Sequence, residues 1–124
     1  KYAAKVAGLM PTDALQALAA ESIVDTTDDV RSKYVPIRYA PVEPDAKLAK
    51  YEDFFSNVLP PLLAIFERKC SQAGSGRFLV GDALSVADLA VFNMIDYLTF
   101  PSCAVQAGSE AHAEMGRRCV DAFP

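Results

Sequence analysis

Apolar positions along most of this chain recur at mixed spacings of three and four, as amphipathic helices require, and no useful stretch alternates as a strand would. Lys1 to Leu9 reads as the last turns of a helix, with Gly8 near its C-cap and Pro11 just beyond. Thr12 is placed to cap a second helix, with Asp13 in its first turn against the positive end of the dipole. Leu15, Leu18, Ser22, Asp25 and Asp29 mark out that helix, expected to run to about Tyr34 with Pro36 as a bend or an end. Tyr39 to Pro44 carries two prolines and reads as a loop.

Asp45 is a good N-cap for a third helix holding Leu48, Tyr51, Phe54, Phe55 and Val58. Pro60-Pro61 should kink or interrupt it, since neither residue has the donor that an interior turn needs. Helical pattern resumes with Leu62, Leu63, Ile65 and Phe66 and ends near Cys70, followed by a turn over Gln72–Gly76 and an apolar extended loop, Phe78 to Gly81. A further helix is expected from Ser85 to about Thr99, and Ser109 is placed to cap a last one to about Asp121. The fold class is all-α.

Composition narrows the reading without naming a function. The chain has 124 residues, enough for one core and too few for two ordinary domains. Twelve Lys plus Arg against sixteen Asp plus Glu give a net charge of −4, the wrong sign for a chain that seeks nucleic acid or an anionic membrane surface. The longest apolar stretch, Val86 to Ile95, is interrupted by Asp88 and Asn93, so no membrane span is expected. Cys70, Cys103 and Cys119 form no CxxC pair, and His112, the one histidine, is most simply a surface residue. No metal site is expected from that set, and the odd cysteine count favours a reducing compartment such as the cytoplasm. Cys70 and Cys103 read as inert thiols.

The segment FLVGDALSVADLAVFNMIDYL, residues 78 to 98, carries the most information. Ser85 followed three residues later by Asp88 is a capping-box variant, in which each side chain can satisfy a backbone N–H at the helix start. Leu84 and Leu89 are spaced as a hydrophobic staple across it. The helix is apolar on nearly every side, so it is expected to be central and buried, with an obligatory cap whose loss costs roughly 1–2 kcal/mol or more.

This segment resembles the core helix of the glutathione transferase C-terminal helical domain, with Gly81, Asp82, Ser85, Ala87 and Asp88 matching the family motif. DTTDDVRSKY (Asp25 to Tyr34) looks like that family's helix 4, LPPLLAIFER (Leu59 to Arg68) its kinked helix 5, and Lys1 to Leu9 the tail of its helix 3. The class looks like the sigma, mu and pi group. The resemblance implies that residues 1–10 are the tail of a preceding helix and 11–124 a C-terminal-like helical domain truncated at its C-terminal end, where Phe123-Pro124 would lead into the last helices. It also implies that the thioredoxin-like domain, which in the family holds most of the glutathione site and supplies the catalytic side chain, is not in this sequence. No catalytic residue and no cofactor is therefore expected here, with glutathione as co-substrate, and this chain alone should not catalyse conjugation.

Glu21, Asp25, Asp28 and Asp29 place four acids on one helix, where like charges repel unless offset, and Asp28 with Arg31 and Asp29 with Lys33 are the local partners expected. Such a group is ordinarily a solvated face. By resemblance, Asp29 matches the aspartate that reaches across the dimer to the ammonium of the neighbour's glutathione, a charge-assisted hydrogen bond. Tyr39, otherwise a partly buried loop tyrosine, matches a tyrosine over the electrophile pocket, where it offers an aromatic wall and a hydroxyl. Tyr34 and Ile37 are further pocket candidates, whereas Tyr51, Phe54 and Phe55 read as core or domain interface.

Two functions stay open. One is the C-terminal domain of a glutathione transferase, forming the electrophile-pocket wall and the dimer interface, with glutathione and a hydrophobic electrophile as partners and a homodimer as the assembly. The other is a non-catalytic interaction module or accessory subunit, since the same fold resembles domains attached to elongation factor gamma subunits and some aminoacyl-tRNA synthetases.

Overall fold

The structure, a computed structural model, describes residues 1–72, 77–99 and 110–121. Among the described residues, six α-helices carry the fold: α1 (Tyr2–Val6), α2 (Ala14–Arg38), α3 (Pro44–Asp53), α4 (Leu59–Gln72), α5 (Val86–Thr99) and α6 (Glu110–Asp121). A π-helical turn, Phe54–Val58, joins α3 to α4, and no strand occurs among the described residues. The all-α expectation holds. Most of the expected turn at residues 73–76, together with Cys103, the Ser109 cap, the His112 side chain and Phe123-Pro124, lies outside what is described.

Gly8 closes α1 in the left-handed region at φ 71°, which a residue without Cβ adopts freely, and Leu9 N then donates to Ala4 O at 2.8 Å. The cap of α2 is Asp13, not Thr12: its Oδ1 accepts from Leu15 N at 3.0 Å and Gln16 N at 2.9 Å. One carboxylate oxygen thus satisfies two of the helix's orphan donors and sets a negative charge against the dipole. The helix also runs past Tyr34 to Arg38 with Pro36 inside it. Pro36 deprives only the Ser32 carbonyl of its donor, and both residues are exposed, so water can take that bond.

Two more boundaries differ from expectation for related reasons. The N-cap of α3 is Glu43 rather than Asp45, because Pro44 occupies the first helical position, where its missing N–H is no loss. Asp45 sits in the first turn and complements the dipole instead. Pro60 and Pro61 fall in the first turn of α4, and the strain they impose is taken up just before them. Leu59 N donates to Phe54 O, five residues back, widening the turn ahead of the two pyrrolidine rings.

Helix α5 packs chiefly on α2 and next on α6, while α3 and α4 close around the π turn. The core runs between them through Ile23, Val30, Tyr34, Tyr51, Phe54, Leu59 and Leu98, each almost fully buried. At its centre the Tyr34 ring meets those of Phe54 at 5.4 Å, Tyr97 at 5.5 Å and Tyr51 at 6.0 Å, tilted or edge-on as ring quadrupoles favour.

The expectation of a wholly buried α5 does not hold. Ala87, Met94 and Leu98 are buried, but Phe92 is 70% exposed and Leu89 42%. Leu84 is also exposed, so the proposed Leu84–Leu89 staple is not a buried contact. One side of the helix faces α2 and α6 and satisfies the core; the other carries apolar groups that nothing in these residues covers. The outer face of α2 continues the pattern with Leu15 at 77% and Leu18 at 65% exposed.

Gly116 sets how closely α5 and α6 approach. A Cβ there would lie 2.5 Å from the backbone oxygen of Leu98, an atom that cannot swing aside. Gly116→Ala gains up to about 1 kcal/mol of helix propensity, but overpacking costs roughly 1–3 kcal/mol. We expect a net loss of about 1–2 kcal/mol, read as a lower denaturation midpoint; an unchanged or raised midpoint would show that the helices can separate freely.

Burial pushes the Cys119 thiol and the Tyr51 phenol above their ordinary ranges; the Arg38 guanidinium partly offsets the effect at Tyr51. Both groups are acids whose neutral form the fold prefers, so the unfolded chain ionises first as pH rises. Stability should therefore be fully present at neutral pH and fall as pH climbs from about 9. Urea midpoints measured between pH 7 and 10.5 check this, and Cys119→Ala with Tyr51→Phe should flatten the decline.

Candidate functional site

The start of α5 gathers several hydrogen bonds on one carboxylate. The Asp88 carboxylate accepts from three donors: Leu79 N through Oδ1 at 2.8 Å, and Ser85 N and Ser85 Oγ through Oδ2, each at 2.8 Å. Val86 N donates to Leu9 O at 2.8 Å. Asp88 therefore ties three pieces of chain together: its own helix, the Ser85 turn and the loop at Leu79. In that loop Gly81 has φ 65°, and a Cβ there would press on the Gln16 side chain at 3.1 Å. Ser85 is buried and the bonds are partly so, so water replaces them poorly.

Helix α2 positions the other candidates. Asp29 is exposed on its outer face. The local ion pairs expected for the acids do not form: Arg31 lies over the Tyr97 ring at 5.6 Å, and neither Asp28–Arg31 nor Asp29–Lys33 is bridged. Exposed pairs gain little against side-chain entropy, and a ring face competes well for a guanidinium. Lys1 neutralises part of the acidic face instead, reaching Asp25 at 3.3 Å and Glu21 at 3.6 Å, and its ammonium pKa is raised, first through the Asp25 hydrogen bond.

Tyr39 is the C-cap of α2 and is 63% exposed. Ile37 is half-buried and packs on the core. Tyr34 must be withdrawn as a pocket residue: at 0% exposure its ring is core, on the same helix face as Ile23, Thr27 and Val30. Ten residues, about 15 Å of helix rise, separate Asp29 from Tyr39, so the two do not form one site within the chain.

A cleft of about 460 Å³ opens between α2 and α5, lined in part by Asp28, Arg31, Asn93 and Tyr97, and a shallower one of about 290 Å³ lies beside Leu15, Leu79 and Gly81. Asp29, Ile37 and Tyr39 line neither of these clefts. Among the described residues there is no group of three side chains able to hold a metal ion, and no helix long and apolar enough to cross a membrane.

Comparison with known proteins decides the family. The model of the glutathione S-transferase C-terminal domain matches residues 28–114, a span that takes in the α2 C-terminus, the π turn and the Asp88 cap. The chain belongs to that family.

Along its whole length this transferase-type domain is 29% identical to human glutathione S-transferase P, and 30% to both the Bos taurus and the Capra hircus glutathione S-transferase P. It spans about half the length of these curated relatives. Two features of this C-terminal domain leave no signal in the sequence. The Leu79 tether to Asp88 joins residues nine apart in a loop, which no periodicity signals. The close helix approach at Gly116 depends on a partner carbonyl on another element.

Proposed function

We propose that this chain is the C-terminal half of a glutathione-conjugating enzyme, in which it supplies one wall of the electrophile pocket and part of a homodimer interface. The observation that carries the reading is Tyr39, an aromatic ring with a hydroxyl presented to the outside at the end of α2. In the complete protein an electrophile would lie against that ring, while glutathione binds chiefly to the other half and a partner's Asp29 accepts from its ammonium. The uncovered apolar groups Leu15, Leu18, Leu89 and Phe92 support a domain that packs against further protein, which the second half and a second copy would provide. A reducing compartment such as the cytoplasm suits a thiol substrate.

The test is conjugation of glutathione to a chloronitrobenzene by the full protein. Turnover above the uncatalysed rate that falls in Tyr39→Leu supports the reading. No turnover, with the protein recovered in a larger assembly, would favour an interaction module of the same fold.

A further inference from the structure

Adjacent residues on a helix point about 100° apart and do not normally meet. Arg38 and Tyr39 do meet, at the end of the helix, where Tyr39 is the C-cap with φ −99° and ψ 8°. The Arg38 Cζ lies 5.7 Å from the Tyr39 ring centroid and 5.1 Å from that of Tyr97. Tyr97 in turn stands edge-on to the buried Tyr34 ring, 5.5 Å away at 80°. A chain of contacts therefore runs from the core to the exposed ring: Tyr34, Tyr97, Arg38, Tyr39. Its third member is half-buried, so its charge acts on both rings with limited screening by water.

We propose that Arg38 is a positioning residue, whose guanidinium braces on Tyr97 and holds the exposed Tyr39 ring in one orientation. The chemistry requires arginine. A planar, delocalised cation can stack on a ring face and still contact a second ring, whereas the lysine ammonium is a compact, strongly hydrated point charge. An unbraced tyrosine at a helix end would sample several rotamers, and each extra rotamer must be given up when a ligand packs on the ring. Bracing removes that loss in advance. That the fixed ring matters for conjugation rests on the proposed pocket role of Tyr39; the bracing itself does not.

The experiment uses the full protein with ¹³C-labelled tyrosine rings, the Tyr39 signal being assigned by its disappearance in Tyr39→Phe. Arg38→Met should shift that signal and raise ring mobility, increasing the displaced population about two- to fivefold, the worth of one partly exposed cation–π contact. Arg38→Lys, which keeps the charge and the stem, should fall between the two and guards against misfolding of the methionine variant. In conjugation assays Arg38→Met should raise KM for the electrophile about two- to fivefold, leave KM for glutathione in place, and have no further effect in a Tyr39→Leu background.

A Tyr39 signal identical in wild type and Arg38→Met overturns the proposal. So does an Arg38→Met effect on KM that persists undiminished without Tyr39. A protein that conjugates nothing, yet whose Tyr39 ring is freed by Arg38→Met, supports the bracing and overturns the pocket role alone.

Discussion

Replacing Asp88 by alanine should lower the unfolding free energy by about 3 kcal/mol and the melting temperature by roughly 10 °C, the largest stability effect expected of any side chain outside the aromatic core. Three donors lose a charged acceptor at once: Leu79 N, Ser85 N and Ser85 Oγ. Each charge-assisted bond contributes about 1.5–3 kcal/mol taken alone, but neighbouring bonds to one carboxylate are not additive, and the partly exposed amides regain water. Asp88→Asn keeps an acceptor oxygen and should cost less than half as much. Ser85→Ala loses only one of the three bonds and should cost about 1 kcal/mol. Thermal melts of the three variants check the order. If Asp88→Ala melted like wild type, the carboxylate would not be what joins the Leu79 loop to α5.

The second large effect is a split in kinetic constants in the full protein. Asp29→Ala should raise KM for glutathione about tenfold, the loss of one charge-assisted hydrogen bond, and leave KM for the electrophile in place. Tyr39→Leu should do the reverse, raising KM for the electrophile, with Tyr39→Phe intermediate because it keeps the ring and loses the hydroxyl. The two residues lie about 15 Å apart on one helix, so a variant at one should not carry the signature of the other. Matching losses in both substrates from either substitution would mean a general structural defect.

The middle helices were legible because apolar spacing near 3.6 runs through them, the first and last through cap residues such as Gly8 and Ser109, and the Ser85–Asp88 spacing announced the start of α5. Their ends were harder to place. Asp13 displaced Thr12 as a cap, Pro44 displaced Asp45, and a π turn absorbed Pro60 and Pro61; each outcome depends on local bonds that composition does not rank. Tyr34 was a different kind of miss. Ile23, Thr27, Val30 and Tyr34 recur at four, three and four, a buried stripe whose phase already placed the ring inward, and the resemblance to a pocket position outweighed it. Conversely, Leu89 and Phe92 looked like core because they are apolar, yet they lie on the exposed side of α5, and apolar character alone does not tell the two sides apart. Neither the Asp88–Leu79 tether nor the Arg38 contacts could be read from spacing, since both arise where helices end.

The central claim is that this chain forms the wall against which the apolar part of a glutathione conjugate rests. Calorimetric titration of the full protein with glutathione and with S-hexylglutathione isolates that wall, because the two ligands differ only in the hexyl arm. The account predicts tighter binding of the hexyl compound to wild type, and in Tyr39→Leu a loss of most of that advantage with affinity for glutathione itself unchanged. An advantage of the hexyl arm that survives Tyr39→Leu undiminished would place the electrophile elsewhere and contradict it.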